Sequence, residues 1–262
     1  MLSTKEVLYS YIEQTKKKVT APILNTVLLS VLAGVFIAFA GVGCCLSTSV
    51  AGKFVGACVF PVGIIMVVLG GAELFTGDCL LTIPLLTRDV KLKDTALTLL
   101  LVYVGNLIGA VLIAVLVVYS GALESVKDAV IYNAIMKASL PFGTALLRGI
   151  LCNILVCVAV LMSMSAQHVA GKILALFPPI LVFVIAGFEH SVANMYFLPA
   201  GIFTALKYGI TDGMSTMLSG LYANLIPVTL GNIIGGVAVG MIYKVAVYSR
   251  HSRCDNITSD ID

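Results

Sequence analysis

Two short polar stretches interrupt long apolar runs, and they hold the residues best suited to chemistry. The first is GAELFTGD at 71–78; the second is GFEHSVAN at 187–194. Both read Gly-x-Glu, with Asp78 or Asn194 five residues after the glutamate, and both have proline upstream, Pro61 in one and Pro178-Pro179 in the other. His190 is the most informative side chain of the two stretches. A titratable group at membrane depth is costly and by default suggests function. An unperturbed value near 6.5 lets a histidine change charge at cellular pH. His190 therefore reads as a proton donor, or a hydrogen-bond donor, to a passing anion; the structural alternative is a neutral histidine that holds a bend. Glu73 and Glu189 occupy matching places. A pair of proton carriers is one reading. The favoured reading is support of each break, with the carboxylates accepting backbone N–H groups freed where a helix is interrupted. A structural joint is needed twice, whereas a proton relay is not.

Other polar residues lie within apolar sequence. Asn106 and Asn232, flanked by glycines in GNLIG and GNIIG, suit helix–helix contacts at close approach. Asn153 either bonds a neighbouring helix or orients His190. Lys137 is placed in the loop before the fourth apolar block and Arg148 near that block's start, where a cation would steer anions to a mouth. Phe60, Ile64 and Phe183 precede the two breaks and serve either as packing or as apolar collars.

These residues must be positioned by membrane helices. Of 262 residues, 60% are hydrophobic and 11% charged, against about 25% charged in a soluble domain. Six apolar blocks, near 22–46, 56–74, 95–119, 143–164, 173–187 and 225–247, are long enough to cross a hydrocarbon core of about 30 Å. A bilayer offers backbone groups no water, so such spans are helical. The second and fifth blocks are the interrupted ones. The third and sixth echo each other through the GN(L/I)IG motif, so residues 22–119 and 143–248 form two halves of three spans. An odd number of spans per half turns the second half upside down. Inverted repeats with broken helices in matching places predict a solute site near the midplane. With both termini in the cytoplasm, eleven Lys and Arg residues fall on that side and five on the other, as the positive-inside rule requires. Residues 1–21 then form a cytoplasmic amphipathic segment in which Val7, Tyr11 and Ile12 share a face. Residues 249–262 form a cytoplasmic tail.

Several function classes are disfavoured. The net charge of +3 is spread over loops, so no nucleic-acid partner is expected. Seven cysteines without a CxxC pair and three scattered histidines predict no metal and no cofactor. An intramembrane enzyme would need a nucleophile or metal motif such as GxSxG or HExxH, and neither is present. A neutral-solute channel of the aquaporin kind would carry paired Asn-Pro-Ala motifs, which are also absent.

The segments GAELFTGD, GFEHSVANMYFLPAGI, GNLIGA, GNIIGG and ILCNILVCVAVLMS resemble the formate/nitrite transporter family, which includes formate, nitrite and hydrosulfide channels, from about residue 20 to about 248. The resemblance implies an aquaporin-like fold of six helices per protomer, assembled as a homopentamer in the plasma membrane with one pore per protomer. By motif position, His190 resembles the central pore histidine, Thr76 the threonine that approaches it, and Asn153 the asparagine that bonds it. Leu74 and Ile64 match one constriction, Phe60 and Phe183 the other, and Lys137 a vestibule lysine. The implied solute is the monovalent anion of a weak acid: formate, nitrite or hydrosulfide. At 76–79 the TGDC continuation departs from the formate channels, which have serine and threonine after LFT.

Overall fold

The structure is a computed structural model that describes residues 1–248; the tail expected at 249–262 lies outside the described residues. Those residues fold entirely as helices and turns, with no strand among them. Helix α1, Thr4–Val19, begins with a capping box between Ser3 and Glu6 and buries Val7, Leu8, Tyr11 and Ile12. These side chains pack on Leu80, Ile83, Leu161 and Val239. Helix α2, Ile23–Val59, runs through one kink at Gly52, whose φ of 83° only glycine adopts freely. After α3, Val62–Gly70, the helix stops. It resumes as α4, Phe75–Asp78, a 3₁₀ turn, and α5, Thr82–Leu86. Helix α6, Leu92–Tyr119, is followed by α7, Lys127–Ala138, and α8, Phe142–Ser165. Helix α9, Val169–Ala186, stops in the same way as α3. It continues as α10, Ser191–Tyr208; α11, Met214–Ala223, and α12, Leu225–Tyr243, close the fold.

Five helical stretches are long and apolar enough to cross a membrane: Ile23–Gly70, Leu92–Tyr119, Phe142–Ser165, Val169–Ala186 and Met214–Val247. The first two apolar blocks of the sequence fall largely within one of these stretches, because only the Gly52 kink inside α2 and a short turn before α3 interrupt it. The side-chain distribution is inverted relative to a water-soluble protein. Leu100, Leu147, Leu174 and Ile242 are exposed, while Asn106, Asn153, Asn194, Asn232 and His190 are buried. An apolar exterior around a polar interior is the arrangement a lipid solvent selects.

The glycine-rich motifs set the packing. Helix α6 lies so close to α2 that a Cβ at Gly105 would strike Ser30 and one at Gly109 the Val31 carbonyl. Helix α12 lies equally close to α8: Gly231 faces the Leu146 carbonyl and Gly235 that of Ile150. The same motif thus performs the same close approach in both places.

Candidate functional site

Both breaks are built to one plan. Gly71 ends α3 and Gly187 ends α9 in the left-handed conformation, at φ 67° and 70°. The next amide then folds back, Ala72 N–H to the Val67 carbonyl and Phe188 N–H to that of Phe183, each at 3.0 Å. Glu73 N–H donates to the Leu29 carbonyl and Glu189 N–H to that of Arg148, each at 3.2 Å. The asparagines of the two glycine-flanked motifs hold the second half-helices. Asn106 Oδ1 accepts from Phe75 N–H at 2.9 Å, and its Nδ2 donates to the carbonyls of Ser30 and Glu73 at 2.8 Å. Asn232 Oδ1 accepts from Ser191 N–H at 2.9 Å, and its Nδ2 donates to Gly149 and Glu189 carbonyls at 2.8 and 3.0 Å. Each asparagine therefore satisfies the amide that opens the second half-helix and ties the break to the facing long helix.

Glu73 and Glu189 do not play the expected part of accepting backbone N–H groups; the asparagines do. The asparagine amide can both donate and accept, which a break exposing N–H and C=O groups together requires; a carboxylate only accepts. The glutamates instead hold lysines. Lys137 lies on α7 rather than in a loop, and its ammonium sits 3.0 and 3.1 Å from the two Glu189 oxygens. Asn194 Nδ2 braces the pair, donating to Glu189 Oε2 at 2.6 Å and to Asn224 Oδ1 at 2.7 Å. At the first break, Lys18 of α1 is ion-paired with both Glu73 and Asp78. Burial alone would drive the Lys18 ammonium down; Asp78 and Glu73 outweigh it and hold it above its ordinary value.

His190 joins the two breaks. The Ala193 amide donates to His190 Nδ1 at 3.0 Å. A backbone amide only donates, so Nδ1 carries no proton and the neutral ring bears its hydrogen on Nε2. Nε2 lies 2.9 Å from Thr76 Oγ1. The ring N–H therefore donates to the hydroxyl oxygen, and the Thr76 hydrogen is left to donate onward. Asn153 does not bond the ring as expected, because both ring nitrogens are already engaged; its Nδ2 donates to the Asn232 carbonyl at 2.6 Å.

Phe183 stacks on His190 with centroids 6.0 Å apart, and Phe60 meets Phe183 edge-on at 5.8 Å. Ile64 and Leu74 are buried in the same apolar cluster as these rings. A cavity of about 490 Å³ reaches Phe60, Phe183 and His190, and its charged lining is Lys53, Lys137, Arg148 and Glu189. Three cations against one carboxylate leave it positive. Sequence reasoning missed Lys18 and Asn224 and gave Asp78 no role. Asp78 was marked by its spacing from Glu73. Lys18 is one of three consecutive lysines, and nothing in the sequence distinguishes it from the other two.

The family model for formate/nitrite transporters matches residues 5–245. The chain belongs to the formate/nitrite transporter family. Among formate/nitrite transporter relatives it is 38% identical to the uncharacterized transporter YrhG of Bacillus subtilis (strain 168), over 94% of this chain and 93% of that one. It is 36% identical to the formate channel FocA of Escherichia coli (strain K12), covering 90% of each. A solved structure described as an FNT family ion channel superposes with a TM-score of 0.83 at 26% identity, over 93% of this chain and 98% of that one. A pentameric formate channel with formate bound superposes with a TM-score of 0.73 at 30% identity, over 86% and 97%. Members of the formate/nitrite transporter family are channels and transporters, not enzymes, and this chain is a multi-pass membrane transport protein.

Proposed function

We propose that the protein is a homopentameric channel of the plasma membrane that conducts the monovalent anions of small weak acids, formate first among formate, nitrite and hydrosulfide. Each protomer crosses the bilayer six times as an inverted repeat. Helix α3 with α4–α5 forms one broken span, and α9 with α10 the other. Both termini lie in the cytoplasm. The observation that carries this reading is the 2.9 Å contact between Thr76 and His190, in which one buried side chain from each break meets the other and the Thr76 hydrogen is left to donate onward. The identities of the formate channels among the relatives support formate as the solute and five as the number of protomers.

In this mechanism the positive cavity collects the anion, with Lys53, Lys137 and Arg148 as the attracting charges. Phe60 and Phe183 then exclude water, and Ile64 and Leu74 do so on the far side. A bare anion in such a collar loses its hydration at great cost, whereas the neutral acid loses little. At the centre, the Thr76 O–H, oriented by the His190 Nε2–H that its oxygen accepts, replaces a lost water contact. His190 acts as a hydrogen-bond donor, since a proton on Nδ1 would break the Ala193 cap. Asn106, Asn232 and Asn194 keep both breaks in register, and Asn153 supports Asn232. The test is uptake of formate, nitrite and hydrosulfide into proteoliposomes across pH about 5 to 8, for wild type and His190→Ala. Uptake above that of empty liposomes, lowered by the variant across the pH range, is expected. Uptake of water or glycerol without any anion would overturn the reading.

A further inference from the structure

The two lysine–glutamate clusters are mates in the repeat, yet they do not carry the same charge. At the second break, Lys137 and Glu189 cancel, and the fifth residue after the glutamate is the neutral Asn194. At the first, Lys18 faces two carboxylates, because the fifth residue after Glu73 is Asp78. With both ionised, this cluster bears one net negative charge. Asp78 is buried, and its Oδ2 has no hydrogen-bond partner among the described residues. The Tyr11 hydroxyl, two turns before Lys18 on the buried face of α1, has none either. The titratable groups around Asp78 are Lys18 and Tyr11 from α1, Glu73 from the break, Cys79 on its own turn and Cys157 from α8. Lys18 is the one cation among them. A single proton on Asp78 would bring this cluster to the neutrality that Asn194 gives its mate, and it would turn the unpartnered Asp78 oxygen into a donor.

We propose that the solute path continues beneath α1 past Asp78 and that Asp78 makes it a proton-dependent anion filter: anions pass freely when the Asp78 carboxyl holds a proton and are repelled when it does not. Leu74, on the same short segment between the two carboxylates, places the charge beside the collar that Leu74 forms with Ile64. The filter rests on the anion-channel reading, and it adds a proton site that the other half of the repeat lacks.

The experiment compares wild type, Asp78→Asn and Asp78→Glu in proteoliposomes, at fixed formate concentration and with pH equal on both sides, across about 5 to 9. The expected ratio of Asp78→Asn uptake to wild-type uptake is near one at the acid end and rises to roughly tenfold at the alkaline end, as one added charge near the path implies. Asp78→Glu should follow wild type. A ratio that does not change with pH overturns the filter while leaving the channel intact; absence of wild-type uptake at every pH overturns the channel reading and the filter with it. Infrared titration of the detergent-solubilised protein gives a readout independent of transport. Wild type should lose a protonated-carboxyl band with rising pH that Asp78→Asn lacks, and an identical band in both overturns the proposal.

Discussion

His190 occupies in the second break the backbone position that Leu74 occupies in the first. Each residue precedes its half-helix with extended geometry, φ −110° and ψ 115° for His190 and φ −111° and ψ 120° for Leu74. Each offers its carbonyl to the residue four later, Asn194 and Asp78. The fold thus supplies two equivalent backbone places, and the chain fills one with a donor and the other with an apolar side chain.

Thr76→Val keeps the volume of Thr76 and removes the hydroxyl that receives Nε2–H. Uptake of formate should fall about tenfold, since one charge-assisted hydrogen bond at the centre contributes roughly 1.5–3 kcal/mol. The protein should still fold but melt somewhat lower, because one buried donor, Nε2–H, loses its acceptor at a cost of about 1–3 kcal/mol while His190 Nδ1 keeps its Ala193 bond. Initial rates in proteoliposomes check the first statement, and a melting curve in detergent checks the second.

Asn232→Leu leaves the Ser191 amide and the Glu189 and Gly149 carbonyls without a partner. Each unsatisfied buried group costs about 1–3 kcal/mol, so the variant should melt well below wild type and lose transport. Asn106→Leu should do the same at Phe75. Equal damage from both would support the shared plan of the breaks; an unchanged melting temperature in either would refute it.

Lys137→Met strands the Glu189 carboxylate in a buried site, a change that typically costs about 3–5 kcal/mol. Adding Glu189→Gln should restore most of the stability, since no charge is then left unpaired. Anion capture should stay weak in both variants, with the apparent KM raised more than kcat is lowered. A double variant no more stable than Lys137→Met would show that the ion pair is not the reason for the loss.

Gly235→Val should abolish folding or assembly, because even a Cβ there overlaps the Ile150 carbonyl of α8. Gly109→Val should do so too, against Val31. Gel filtration after mild extraction reads this directly, with a shift from the oligomer peak to the void expected.

The docking of α1 should depend on pH at both ends. Hydrogen bonds from Ser3 hold the Glu6 carboxyl below its ordinary value of 4.5, so its contribution is present above that value and lost as pH falls through the lowered one. Lys18 is held above its ordinary value of 10.5, so its contribution is full below that value and lost as pH rises through the raised one. Hydrogen exchange of α1 amides should therefore be slowest between these limits. Exchange in α1 that ignores alkaline pH would show that the Lys18 anchor does not hold the helix.

Much of the architecture was legible because lipid leaves few solutions. Apolar length marked the helices, and the paired motifs at 71–78 and 187–194 marked where two of them stop. Gly71 and Gly187 could be read as stops because only glycine takes the left-handed turn at no cost. The asparagines in GNLIG and GNIIG were marked as helix contacts. They do bond the facing helices, at the Ser30 and Gly149 carbonyls; their further partners, Phe75 and Ser191, lie 31 and 41 residues away, a distance that no local pattern encodes.

The sequence by itself determined the membrane class, the all-helical fold and the two matching motifs, since composition, period and motif are local properties of the chain. Only the tertiary structure decided which groups meet. It set Lys18 against Glu73 and Asp78, Lys137 against Glu189, and Thr76 against Nε2. It also gave the histidine its tautomer and left Asn153 no ring nitrogen to bond. Hydrogen bonds and ion pairs act over about 3 Å, and which side chains come that close is fixed by how the helices pack, not by their spacing along the chain.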